Sequence, residues 1–173
     1  MVEFAIALPV LTFFLVALLF FGRYFMVAQV ILHAAQEGAK VASRTPNLND
    51  QDTRDLVRGF NIGGSGTNPN SVIYRALGSA RLLSQQTTGD LPPGAGILIM
   101  PFDNDDGTTP PGAVSVKISY PFELWGNPFN PGSSQDIKIG FTPAGGGTPF
   151  AFHNFTIVEQ AVAADEIYQA QAN

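Results

Sequence analysis

Cysteine is missing from this 173-residue chain, tryptophan occurs once and histidine twice. Without thiols there can be no disulfide, no thiolate metal site and no thiol nucleophile. Basic residues are few, nine against fourteen acids, and they are scattered singly; the formal charge is −5. That balance offers no basic stripe to neutralise phosphates and argues against a nucleic-acid partner.

Catalytic and ligand-binding patterns are missing too. No serine stands in a nucleophile elbow, and Gly63-Gly64-Ser65-Gly66 lacks the lysine of a phosphate loop. Gly145-Gly146-Gly147 has no helix behind it to complete an anion site. His33 and His153 lie far apart, neither with an acid at ligand spacing, and both read as structural. Asp103-Asn104-Asp105-Asp106-Gly107 has the oxygen-rich character of a calcium loop. Its glycine comes one position early, however, and no glutamate follows at the required distance, so it reads as a solvated hairpin turn. Asn154-Phe155-Thr156 matches a glycosylation sequon but falls on a predicted strand. The expectation is a protein with no metal, no cofactor and no enzymatic activity.

What the chain does have is an oily front. Phe4 to Phe21 is an 18-residue run without a charge, with Glu3 before it and Arg23 after it. A run of about 18 or more apolar residues marks a membrane-spanning helix. Its core is longer than a signal peptide's apolar region of about 7–15 residues, no basic stretch precedes it, and no small-residue cleavage site follows. It therefore reads as a retained segment. Phe4, Leu8, Pro9, Leu11, Phe14, Leu15, Leu18 and Phe21 are the candidate membrane or helix-bundle core, and Gly22-Arg23 is the membrane boundary. A carboxylate in lipid costs roughly 2.5–3.5 kcal/mol at mid-membrane and less near the edge. Glu3 therefore calls for a positive partner on a neighbouring chain.

The helix is expected to continue to Arg44, where Thr45-Pro46 stops it. Phe25, Ala28, Ile31, Leu32, Ala35, Ala39 and Ala42 recur at spacings of three and four, giving its second half one apolar face. Pro9 and Gly22 are candidate kinks. Asn49–Phe60 reads as a short polar helix capped by Asn49 or Asp50. Residues 61–70 form a flexible connector. Ser71–Gln86 reads as a second short helix, with Val72, Ala76, Ala80 and Leu83 on one side. The period then changes to two. Strands are predicted at Ile97–Met100, at Ala113–Tyr120 with Val114, Val116, Ile118 and Tyr120 facing one way, at Asp136–Phe141 and at Phe150–Val158. A bulge at His153-Asn154 would explain a change of parity in the last strand. Trp125, Phe129, Phe141, Phe150, Phe152 and Phe155 would fill the core under the sheet or meet a neighbouring subunit. Glu159–Gln171 has helix-forming composition. The fold class is α+β: a long apolar helix over 1–44, then a head over 45–173 with short helices and a small antiparallel sheet.

Met1-Val2-Glu3-Phe4-Ala5-Ile6-Ala7-Leu8-Pro9, then Gly22-Arg23-Tyr24, then Ala34-Ala35-Gln36-Glu37-Gly38-Ala39-Lys40 resemble the TadE family, pilin-like proteins of tight-adherence, type IVb pilus systems. The resemblance covers about a quarter of the chain. It implies a subunit held in the inner membrane with its head outside, then drawn by the pilus assembly machinery into an extracellular filament or its tip or priming complex. Its partners would be copies of itself or other pilin subunits. It also implies that Glu3 pairs with the terminal amine of a neighbouring subunit. The acid is usually fifth after the family's cleavage point and here is third. Either a leader and the first mature residues precede Met1, or the chain enters the membrane without that processing. A different class of reading is a single-pass anchored module whose outer domain binds a surface or a partner.

Overall fold

The computed structural model describes residues 2–60, 67–83, 91–92, 94–103, 107–122 and 155–164, with backbone only for residues 2–6 and 155. Three helices precede three strands: α1 (Val2–Ala42), α2 (Gln51–Arg58), α3 (Val72–Ser79), β1 (Gly96–Met100), β2 (Ala113–Phe122) and β3 (Phe155–Ala164). The strands form one antiparallel sheet in the order β1-β2-β3. The architecture is α+β, as the change of period predicts.

α1 is a single helical element of 41 residues that passes through Pro9. At 1.5 Å per residue it is about 60 Å long. It closes two residues before the expected end. There the Thr45 hydroxyl donates to the Val41 carbonyl at 2.7 Å and the Ser43 hydroxyl to that of Lys40 at 3.1 Å. The Ser43 bond serves a carbonyl of the last turn, where a helix end leaves acceptors without partners, and the Thr45 bond adds to the one that the Val41 carbonyl accepts from the Arg44 amide at 3.2 Å.

α2 begins after Asp50, which caps through its backbone alone. It ends at Gly59, whose φ of +100° is the left-handed conformation that glycine adopts without strain. A Cβ on Gly59 would also collide with the Tyr74 ring and the Ser71 hydroxyl. Past it, Phe60 bridges to Thr67, and residues 61–66 of the expected connector lie outside the described residues.

α3 differs from expectation. Ser71 is its cap, accepting from the Tyr74 amide at 3.2 Å, but the helix ends at Ser79, and Arg81 takes a φ of +58°. Its fully buried residues are Ile73, Tyr74 and Leu77, while Ala76, Ala80 and Leu83 of the expected side are only half-buried against the same core. The bulkier side chains bury more apolar area and so decide the rotation of a two-turn helix.

In the sheet, Val114, Val116, Ile118 and Tyr120 are buried, as their alternation predicts. Ile97 pairs with Ile118 and Ile99 with Val116, so β1 presents its isoleucines to the same side. β3 pairs with β2 along its whole length, from Phe122↔Phe155 to Ala113↔Ala164. This corrects the expected helical tail: Glu159–Ala164 is strand. Its Ala, Glu and Gln content favours helix, but pairing with β2 supplies a full ladder and buries Ile157 and Ala161. Tertiary context outweighs so weak a preference. The predicted strand at Asp136–Phe141, the bulge at His153-Asn154 and residues 165–171 fall outside the described residues.

The core lies between the second half of α1, α3 and the sheet. Ile31, Ala34, Ala35, Ala39 and Ala42 of α1 are fully buried against Ile73, Leu77, Val116 and Ile118. Phe25, expected on that face, is 58% exposed, and the α1 residues packed against the core begin at Val27.

Candidate functional site

α1 is two helices in character. From Ala7 to Met26 every residue is exposed except Ala17 and Phe20, which are half-buried. Leu8, Leu11, Phe14, Leu15, Leu18 and Phe21 are each more than half exposed, and Pro9 is exposed with them. Thr12 is the sole polar side chain in the Phe4–Phe21 run, and its hydroxyl donates back to the Leu8 carbonyl at 2.8 Å. The rod therefore carries no unsatisfied side-chain donor into lipid. α1 is long and apolar enough to cross a membrane.

Glu3 is the second residue of α1, and its side chain is outside the described residues. Arg23 is exposed where the bare rod meets the head, and a Cβ on neighbouring Gly22 would touch nothing. Immediately above, the Tyr24 ring meets Phe122 edge-on at 5.6 Å between centroids and with planes at 90°. That contact ties the rod to the end of β2. Such a pair is worth about 0.5–1.5 kcal/mol beyond its buried area. Tyrosine and arginine at this level suit a membrane boundary, where an aromatic ring and a snorkelling guanidinium both find water and lipid.

Above Arg23 the described residues leave an open groove of about 470 Å³. Met26, Val27, Gln29, Val30 and His33 of α1 form one wall, and Ala80 and Leu82, after α3, form the other. The far wall is held to the sheet by Tyr120, whose hydroxyl donates to the Leu82 carbonyl at 2.9 Å. His33 is exposed and stands in this groove.

A second polar cluster escaped sequence reading. Asp103 is not a solvated turn residue: its side chain is 8% exposed and is held between two arginines of α2. Arg54 Nε lies 3.1 Å from Asp103 Oδ1, and Arg58 Nη2 contacts the same oxygen. The Ile99 amide donates to Asp103 Oδ2 at 2.5 Å. Arg54 also donates to the carbonyls of Leu48 and Asn49, both at 2.8 Å, and Arg58 pairs with Asp55 at 2.6 Å. The i, i+4 spacing of the arginines was the one available signal, since it places them on one face of α2. Nothing local pairs them with Asp103. The cluster clamps α2 to the end of β1.

Among the described residues no group of three metal-ligating side chains converges. Trp125, Phe129, Phe141, Phe150, Phe152, His153 and Asn154 lie outside the described residues, as does the side chain of Phe155. No curated protein and no solved structure matches the chain. The resemblance drawn from the front of the chain is borne out over that front: residues 1–40, from the bare rod through the small-residue face of α1, match the family of TadE-like proteins.

Proposed function

We propose that this chain is a pilin-like structural subunit of a Tad-type pilus, assembled through the first half of α1 into the filament or its tip or priming complex. One observation carries the reading: an apolar rod, exposed from Ala7 to Met26 at every residue but Ala17 and Phe20, continues, as the same helix, into the core of a folded head. A helix hydrophobic all round needs lipid or a bundle of like helices. Eighteen residues at 1.5 Å each span about 27 Å, close to the hydrocarbon thickness of a bilayer. Before assembly the rod anchors the chain in the cytoplasmic membrane, with the head outside. In the filament, rods of neighbouring copies or related subunits cover one another and remove their apolar surface from water. The rod then supplies the filament core, and the head, with the second half of α1 in its own core, the outer decoration.

Glu3 is the group that selects the bundle over the bilayer. In lipid its charge is unfavourable, and a cation from a neighbouring subunit offsets that cost. Glu3→Ala is expected to leave membrane insertion intact and to reduce filament number sharply, read by electron microscopy of sheared filaments. Filaments at the normal density in that variant would remove the pairing. A wild-type protein that stays dispersed in the membrane and never becomes fibrous would remove the filament reading and favour an anchored binding module.

A further inference from the structure

We propose that Arg23, in place of the terminal amine that the resemblance implies, receives Glu3 of a second, parallel copy of this chain shifted by about 30 Å along the helix axis, and that the groove above Arg23 holds that copy's rod. The proposal rests on the filament reading and adds to it the partner, the register and the receiving surface: in this register the second copy's rod lies along the second half of the first copy's α1, and rod-to-rod cover comes from the filament's other neighbours.

Three observations on α1 converge. Within its first 26 residues the only ionisable side chains that carry charge at neutral pH are Glu3 and Arg23. They are twenty positions apart, which is about 30 Å of axial rise. At about 100° per residue the two positions fall nearly opposite one another, about 200° around the cylinder. A helix offering an acid low on one side and a base high on the other makes a heterologous contact. Such a contact repeats head to tail without closing, and so generates an open filament instead of a two-fold dimer.

The groove stands where this register requires it. Met26, Val27 and Val30 lie within about 60° of Arg23 around α1 and one to two turns above it. The shift that brings Glu3 to Arg23 also brings Ala7 and Val10 of the second copy, on the Glu3 side of its rod, level with Val27 and Val30. Small and medium apolar side chains thus face a small apolar groove. Leu82, on the far wall, is fixed by its bond to Tyr120, so the slot is formed before anything enters it. If Arg23 sits at the headgroup level, the groove lies above the hydrocarbon, where lipid chains do not reach. Acyl chains are therefore poor occupants, while a rod raised out of the membrane fits.

The natural absence of cysteine makes the register directly measurable. The double variant Val10→Cys/Gln29→Cys, treated in filaments with a short bifunctional thiol reagent, should yield a ladder of covalent multimers. On one helix these two positions are about 28 Å apart, beyond the reach of an intrachain bridge. Val10→Cys/Phe21→Cys, which reports a shift near 16 Å, should yield none. In parallel, Arg23→Glu should reduce filament number about tenfold or more, and Glu3→Arg/Arg23→Glu should restore it, with membrane insertion unchanged throughout. A ladder from the 10/21 pair and not the 10/29 pair overturns the register. Fibres that form normally with Arg23→Glu, or that give no ladder because another subunit or lipid fills the groove, overturn the pairing while the filament reading stands. A wild-type protein that forms no fibre brings down both.

Discussion

At Gly38, α1 lies close against Ile73 of α3. A Cβ there would lie 2.7 Å from Ile73 Cδ1, 2.9 Å from its Cγ1 and 3.4 Å from Val116 Cγ1. Ile73 is fully buried and has little room to withdraw. Alanine in a helix interior gains about 1 kcal/mol over glycine, but overpacking a filled core costs about 1–3 kcal/mol. Gly38→Val adds two further methyl groups and a β-branch, so it is expected to lower stability by about 2–3 kcal/mol, with Gly38→Ala a smaller loss. Denaturant unfolding of the full chain in detergent would measure both; an unchanged Gly38→Val midpoint would show that α3 can move aside. The run Ala34-Ala35-Gln36-Glu37-Gly38-Ala39-Lys40, which carries part of the family resemblance, thus has a physical meaning at single residues. Ala34, Ala35, Gly38 and Ala39 are its buried members, and their small size lets the helix lie close to α3 and β2.

Among the elements, α2 depends on the fewest apolar contacts, since Val57 is its single buried residue. It is held instead through Asp103, which meets both of its arginines. Removing the shared anion leaves Arg54 with backbone carbonyls and no carboxylate and Arg58 with Asp55 alone, and breaking a buried pair from one side costs about 3–5 kcal/mol. Asp103→Ala is therefore expected to cost about that much, and Arg58→Ala clearly less, because Arg54 still neutralises the carboxylate. Equal losses in thermal unfolding would deny Asp103 its central place. The same scale shows which elements were legible. β2 was, because strict alternation over a buried face has one solution. α3 was not: Val72, Ala76, Ala80 and Leu83 fit a helical spacing as well as Ile73, Tyr74 and Leu77 do, and the choice fell to volume. β3 beyond Val158 was not, because its composition favours helix and only its partner strand makes it extended.

Across the whole molecule, the boundary between rod and head is not the end of a helix. Five of the buried core residues, Ile31, Ala34, Ala35, Ala39 and Ala42, belong to α1. A chain beginning at Val27 keeps them and is expected to unfold cooperatively as a water-soluble head. A chain beginning at Ser43 removes the layer on which α3 and the sheet pack, and is expected to show no cooperative transition. Circular dichroism melts of the two would decide; a sharp transition in the shorter chain would mean that the head's core is independent of α1.

Residues in series were enough to determine the rod, its charged ends, the small-residue face and the order of helices before sheet. Each is a matter of local periodicity or of an unbroken apolar run, which a single helix or strand expresses without help. Only the tertiary structure decided where α1 passes from bare to buried, which side of α3 turns inward, that β3 extends to Ala164, and that Asp103 joins two arginines some fifty residues earlier in the chain. Those outcomes depend on competing faces of similar hydrophobicity and on partners distant in sequence. They are settled by which packing fills the space and satisfies the buried charge, and no local pattern encodes that choice.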